Sequence, residues 1–166
     1  MALSPEIVVT ERLRLVPLTV EDADEMVTVL GDERMYEFTG GGPPSLDRLR
    51  ERYRRLVVGR SADGSEQWLN WVVRLADDGR AVGAMQATVV AERSSADVAW
   101  EVGVVWQGRG IASEASASVV RWLLGEGVAT ITAHIHPEHR ASAAVAARAG
   151  LAPTSELVDG ETVWRR

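Results

Sequence analysis

The 166-residue chain contains no cysteine and no lysine. Without a thiol it has no disulfide, no thiolate zinc site and no cysteine nucleophile, a composition that suits a reducing compartment. Without lysine it has no P-loop, whose Gly-Lys-Ser/Thr run needs the ammonium on the phosphates. All 18 basic residues are arginine, against 24 acidic ones, and the net charge of −6 argues against nucleic acid as a main partner. Aromatic residues make up 5% of the chain, and its two tyrosines, Tyr36 and Tyr53, both lie in the N-terminal half. No charge-poor apolar run is long enough to span a membrane. The opening residues Met1-Ala2-Leu3-Ser4-Pro5-Glu6 lack the basic region and apolar stretch of a secretory signal, so a cytoplasmic protein with no membrane partner is expected.

What remains is 46% hydrophobic and 25% charged, an ordinary soluble composition, with no linker, repeat or low-complexity segment, so residues 1–166 are expected to form one domain. Residues 12–17 alternate polar and apolar, as a half-buried strand does. Thr19 is placed to cap a helix with Ala23, Met26, Val27 and Leu30 on one face, ended by Gly31. Ser45 caps a second helix that turns Leu46, Leu49, Tyr53, Leu56 and Val57 inward, and its arginines at 48–55 form a solvated face in preference to the alternative, an anion site. Residues 68–75 and 81–90 form a hairpin, and a third strand leads into a glycine loop at 106–112. A helix over 113–125, a strand over 130–135, a small-residue helix over 142–149 and a last hairpin through Asp159-Gly160 complete the chain. The order β-α-α-β-β-β-α-β-α-β-β predicts an α/β (α+β) fold, a mixed sheet of about seven strands with about four helices on its faces.

The stretch Trp106-Gln107-Gly108-Arg109-Gly110-Ile111-Ala112-Ser113 is the most informative in the chain. A small-residue loop between a strand and a helix start leaves several backbone N–H groups pointing one way, at the positive end of the helix dipole, which suits a phosphate or diphosphate. It is not the dinucleotide fingerprint, because Gly108-x-Gly110 is followed by Ser113 instead of glycine. Upstream, Glu101 sits in an apolar strand, where a carboxylate is either paired structurally or raised in pKa and suited to act as a base. Asp97 shares its strand face. All three histidines fall in His134-Ile135-His136-Pro137-Glu138-His139, which superficially echoes the metal motif of the metallo-β-lactamase-type hydrolases. The further ligands those enzymes take from later in the chain are missing here, so no metal is assigned, and a small zinc-dependent hydrolase is kept as a third alternative.

Gln107-x-x-Gly110-x-Ala112 resembles the coenzyme A loop of the GCN5-related N-acetyltransferases, and the element order is the order of that fold. Pro137, Ser142 and Gly150-Leu151, with the opening Thr10-Glu11-Arg12-Leu13-Arg14-Leu15, resemble the branch containing the ribosomal-protein N-terminal acetyltransferases. The resemblance covers almost the whole chain and implies a mostly antiparallel sheet. It also implies acetyl transfer from acetyl-CoA to a primary amine by direct attack in a ternary complex. The acceptor it implies is a small-molecule amine or a protein N-terminus, and a homodimer is left open. It places Gln107, Gly108, Arg109, Gly110, Ile111, Ala112 and Ser113 on the diphosphate, and Trp100 and Val102 on the pantetheine arm. Ser142 would lie at the sulfur, and the family's asparagine falls on His139, kept as cofactor-proximal. Glu101, Ser142 and Asp97 are the catalytic candidates, and Tyr36, Glu37, Phe38 and Trp71 the acceptor-lining ones. The family's usual tyrosine acid has no counterpart late in this chain, which keeps a non-catalytic acyl-CoA-binding or regulatory module as the alternative.

Overall fold

The computed structural model describes residues 2–166, and in it β1 (Val8–Val9), β2 (Leu13–Pro17), β3 (Glu66–Leu75), β4 (Ala81–Val90) and β5 (Ser95–Val102) run antiparallel in that spatial order. The sheet continues through β6 (Thr130–Ile135), β8 (Glu161–Arg165) and β7 (Ala152–Val158), and only the β5–β6 pair is parallel. The short β1 was not expected; it pairs with β2 and brings the strands to eight.

Helices α1 (Ala23–Val29) and α2 (Leu46–Leu56) cover one face, and α3 (Ile111–Gly125) and α4 (Arg140–Arg148) the other. α1 enters through a 3-10 turn, where the Asp22 carboxylate accepts the Thr19 N–H at 2.7 Å and hydroxyl at 3.0 Å. Arg74 on β3 then clamps Asp22 and Glu25, each at 2.8 Å, which fixes α1 over the β3–β4 hairpin. The Ser45 hydroxyl caps α2 at the Arg48 N–H, as expected. α2 buries Leu49 and Tyr53, whereas Val57 is exposed, because the helix ends at Leu56 before its register returns to the sheet. Of the α2 arginines, Arg48, Arg54 and Arg55 face solvent, Arg50 pairs with Asp24 of α1 at 2.6 Å, and Arg52 turns partly inward.

Two apolar layers result. Val72, Ala81, Met26, Leu49 and Tyr53 pack between the sheet and α1–α2. Trp71, Met85, Val98, Val119, Leu123 and Ile131 pack between the sheet and α3–α4. α3 begins two residues earlier than its sequence pattern indicated, since Gly110 supplies the left-handed N-cap. α4 also begins two residues early, because the His139 ring caps it.

Candidate active site

The β5–β6 ladder runs only from Ser95–Thr130 to Asp97–Thr132. Beyond it β5 stays paired to β4 as far as Val102, and β6 is paired to β8 as far as Ile135, so the two strands part. The peptide groups of an antiparallel strand alternate in direction. Gly103 donates to Val82 and the Glu101 carbonyl lies against Gly83, both on the β4 side. Trp100 and Val102 therefore present their N–H and C=O groups to the gap. The Gln107 amide donates to the Val102 carbonyl at 2.9 Å and fastens the following loop to the end of β5.

Gly108 and Gly110 hold positive φ, which only glycine adopts without cost, and nothing lies within 4 Å of a Cβ built on Gly108. The first α3 bond is from the Glu114 N–H to the Gly110 carbonyl. The backbone N–H groups of residues 108–113 consequently have no partner among the described residues. The loop is held from behind: Arg12 donates to the Arg109 carbonyl at 2.9 Å and pairs with Glu114 at 2.7 Å, while Thr10 donates to Glu114 at 2.8 Å. Burial alone would raise the Glu114 carboxyl, but these bonds outweigh it and hold it below its ordinary value. Arg109 turns its side chain over the Trp106 ring, away from the cleft, leaving only its main chain at the loop. Arg148 of α4 reaches the Ser113 hydroxyl at 3.4 Å and adds a cation to the loop's mouth.

Loop and gap open into one cleft. Trp100, Glu101, Val102, Ser142, His139, Tyr36 and Phe38 all line it. Glu101 has no hydrogen bond or ion pair among the described residues, so the structurally paired alternative is not what the fold presents. The Ser142 hydroxyl has no partner either, while its N–H donates to His139 Nδ1 at 3.4 Å. The Tyr36 hydroxyl is engaged with the Leu30 carbonyl at 2.8 Å, so its ring, not its proton, faces the cleft.

Two expectations are corrected and one is refined. Trp71 is fully buried, stacks edge-on against Trp122 and donates its indole N–H to the Glu6 carbonyl, so it is a core residue that also borders a crevice on the α2 side of the sheet. Glu37 is exposed and off the cleft lining, at the C-cap of the 3-10 turn Glu33–Tyr36, while its neighbours Tyr36 and Phe38 line the cleft. Asp97 sits where the strands diverge, outside the cleft, accepting from Thr132 at 3.0 Å and lying 3.4 Å from His134 Nε2. Burial pushes the Asp97 carboxyl up, Glu161 adds to this, and Thr132 and His134 oppose it.

The histidines have separate roles. His134 faces Asp97, His136 Nδ1 accepts the Glu138 N–H, and His139 caps α4. No group of three or more His, Asp or Glu side chains is placed to hold a metal ion among the described residues. His139 also stacks on Phe38 at 4.5 Å and 23°, and His136 tilts against the same ring at 5.2 Å. Sequence reasoning assigned no site role to Arg148 or Glu161. Arg148 had a signal, lying two residues before Gly150 in the motif already noted, whereas Glu161 comes from a segment with no pattern of its own.

A strand pair that parts over a loop of N–H groups without partners offers an open strand edge to an extended amide-bearing chain and a cradle to a phosphate. The family model of the acetyltransferase (GNAT) domain matches residues 12–152, and the chain belongs to that family. No curated protein matches the chain in sequence. Solved structures share the fold at low identity. An acetyltransferase from Agrobacterium tumefaciens str. C58 superposes with a TM-score of 0.76 at 23% identity, covering 100% of this chain and 96% of that one. RimL, a ribosomal L7/L12 alpha-N-protein acetyltransferase in complex with coenzyme A, gives 0.80 at 16% identity over 97% of both chains. The microcin C7 self immunity acetyltransferase MccE, in complex with acetyl-CoA and AMP, gives 0.79 at 12% identity over 95% and 93%. RimL comes from the branch that the Pro137, Ser142 and Gly150-Leu151 pattern resembles.

Proposed function

We propose that this chain is an N-acetyltransferase that passes an acetyl group from acetyl-CoA directly to a primary amine in a ternary complex. The observation that carries the reading is the early end of the β5–β6 ladder above a loop whose N–H groups have no acceptor of their own. The residues fit the donor: the N–H groups of 108–113 and the Arg148 guanidinium suit a diphosphate, and the peptide groups of Trp100 and Val102 suit an amide-bearing arm lying along an open strand edge. Bound there, acetyl-CoA supplies a thioester carbonyl.

The protein supplies position and proton transfer. The acceptor must lose a proton to attack, and Glu101, unpaired in the cleft, is the group that takes it. The Ser142 hydroxyl, free on the first turn of α4, donates a hydrogen bond at the sulfur side. Asp97 acts at one remove, setting the orientation of His134. The new bond is N–C(acetyl), the broken bond is C–S, and the proton lost by the amine balances the thiol released.

Calorimetric titration with acetyl-CoA, with free CoA as comparison, tests the donor site. Micromolar binding, about −8 kcal/mol, is expected, and no binding of either ligand overturns the reading. Glu101→Gln is expected to keep that affinity and lose about 10²–10⁴-fold in rate on an accepted amine. Full activity in this variant removes Glu101 from the mechanism. Donor binding with no turnover on a broad amine panel would instead establish the non-catalytic module.

A further inference from the structure

On the α2 side of the sheet a narrow crevice adjoins the cleft, sharing Ala99, Trp100 and Glu101 with it. Its lining is mostly apolar but carries a few polar side chains. Asn70 is 8% exposed and Tyr53 3%, yet neither the Asn70 amide nor the Tyr53 hydroxyl has a hydrogen-bond partner among the described residues. No fully enclosed side-chain nitrogen or oxygen there lacks a partner, so both groups are reached through the crevice itself. Gln86, opposite Asn70 in the β3–β4 register, adds a second amide to the same wall.

Arg52 and Glu101 line this space with opposite charges, and neither is paired with the other or with any other described residue. Their fields overlap. Burial first, then the Glu101 charge, pushes both the Tyr36 and the Tyr53 phenols up, and Arg52 opposes this at each. Holding a cation and an anion apart in a partly desolvated crevice is costly unless something carrying both complementary charges lies between them. Glu101 stands at the end that opens on the diverging strands, where the amine must react, and Arg52 stands on α2. The guanidinium fork matches a carboxylate better than any neutral group. Leu18 and Leu56 offer an apolar wall beside it.

We propose that this crevice is the acceptor subsite and that its ligand is a small amino carboxylate, its ammonium at Glu101 and its carboxylate at Arg52, with Asn70, Gln86 and Tyr53 hydrogen-bonding around it. The inference rests on the acetyltransferase reading and narrows its acceptor away from polyamines and protein N-termini, which lack a carboxylate beside the amine.

The test compares small aliphatic L-amino acids with their amides and their decarboxylated amines, by turnover with acetyl-CoA and by equilibrium binding in the presence of CoA. At least tenfold higher kcat/KM, and tighter binding, are expected for some amino acids over their matched amide and amine. Arg52→Gln should raise the KM for those amino acids tenfold or more, leave the KM of the decarboxylated amines in place, and be partly rescued by Arg52→Lys. Equal use of amide or amine, an equal loss on all three classes in Arg52→Gln, or no amino acid bound or turned over by a protein that binds acetyl-CoA, overturns this proposal alone. Absence of acetyl-CoA binding overturns the acetyltransferase reading, and this proposal with it.

Discussion

A methyl group on Gly83 would overlap the Glu101 carbonyl oxygen and crowd the Val102 Cα, so the residue opposite the end of β5 must be glycine for the strand to lie where it does. Gly83→Ala therefore forces β5 outward at the point where its peptide groups turn to the gap. Overpacking of this kind costs about 1–3 kcal/mol, read as a lower urea midpoint, and acetyl-CoA affinity should fall with it. Other single positions divide sharply in how far their sequence surroundings reveal them. Glu101 was recognisable because a carboxylate in an apolar run stands out, and Gly110 because its spacing from Gln107 and Ala112 is local. For Trp71, period-2 alternation shows that a strand residue has a face without showing which layer that face meets, and here it meets Trp122. Arg52 belongs to a basic run that reads as a solvated helix face or an anion site, and nothing local singles it out among its neighbours until α2 is docked on the sheet.

At the scale of elements, the start of α3 depends on the turn between β1 and β2, with Arg12 lying 102 positions before Glu114: the Arg12 N–H and guanidinium and the Thr10 hydroxyl converge on Glu114. The acidic side chain lies in the first turn, where the helix dipole favours it. Its pKa is held below the ordinary 4.5, so the stability it contributes is present above that value and is lost as pH falls through the lower folded value. Glu114→Gln should weaken acetyl-CoA binding, measured by calorimetry, through a loosened loop, and should flatten the loss of stability in that acid window, measured by denaturation against pH. An unchanged acid limb would show that the Arg12–Glu114 contact holds nothing in solution. The helix boundaries teach a related lesson. α3 and α4 each began earlier than their apolar periodicity, because a left-handed glycine and a histidine ring served as caps, and neither is a residue that sequence rules lead with at that position.

Across the whole molecule the cleft has two walls from distant parts of the chain, joined by Phe38 stacked on His139 and His136. His139 must be neutral at Nδ1 to accept the Ser142 N–H. Burial first, and the neighbouring His136, depress its pKa, against a smaller pull from Glu37. A base with a depressed folded pKa contributes fully above its ordinary value of 6.5 and loses that contribution as pH falls towards the folded value. Stability should accordingly decline below pH 6.5, and His139→Asn, which keeps a good N-cap without a titrating ring, should remove that part of the decline. A decline that persists in the variant would place its source elsewhere.

Residues 106–115 on their own specified a phosphate-suited loop, and the strand and helix order specified a mixed sheet with two helices on each side of the glycine loop's strand, because both depend on backbone conformation and periodicity within a few residues of each position. Where the β5–β6 ladder stops, which face Trp71 and Arg52 take, and that Glu101 is left without a partner were decided only in three dimensions. Those features depend on the docking of α2 and on the pairing of β6 with β8, contacts between segments far apart in the chain that no local pattern encodes.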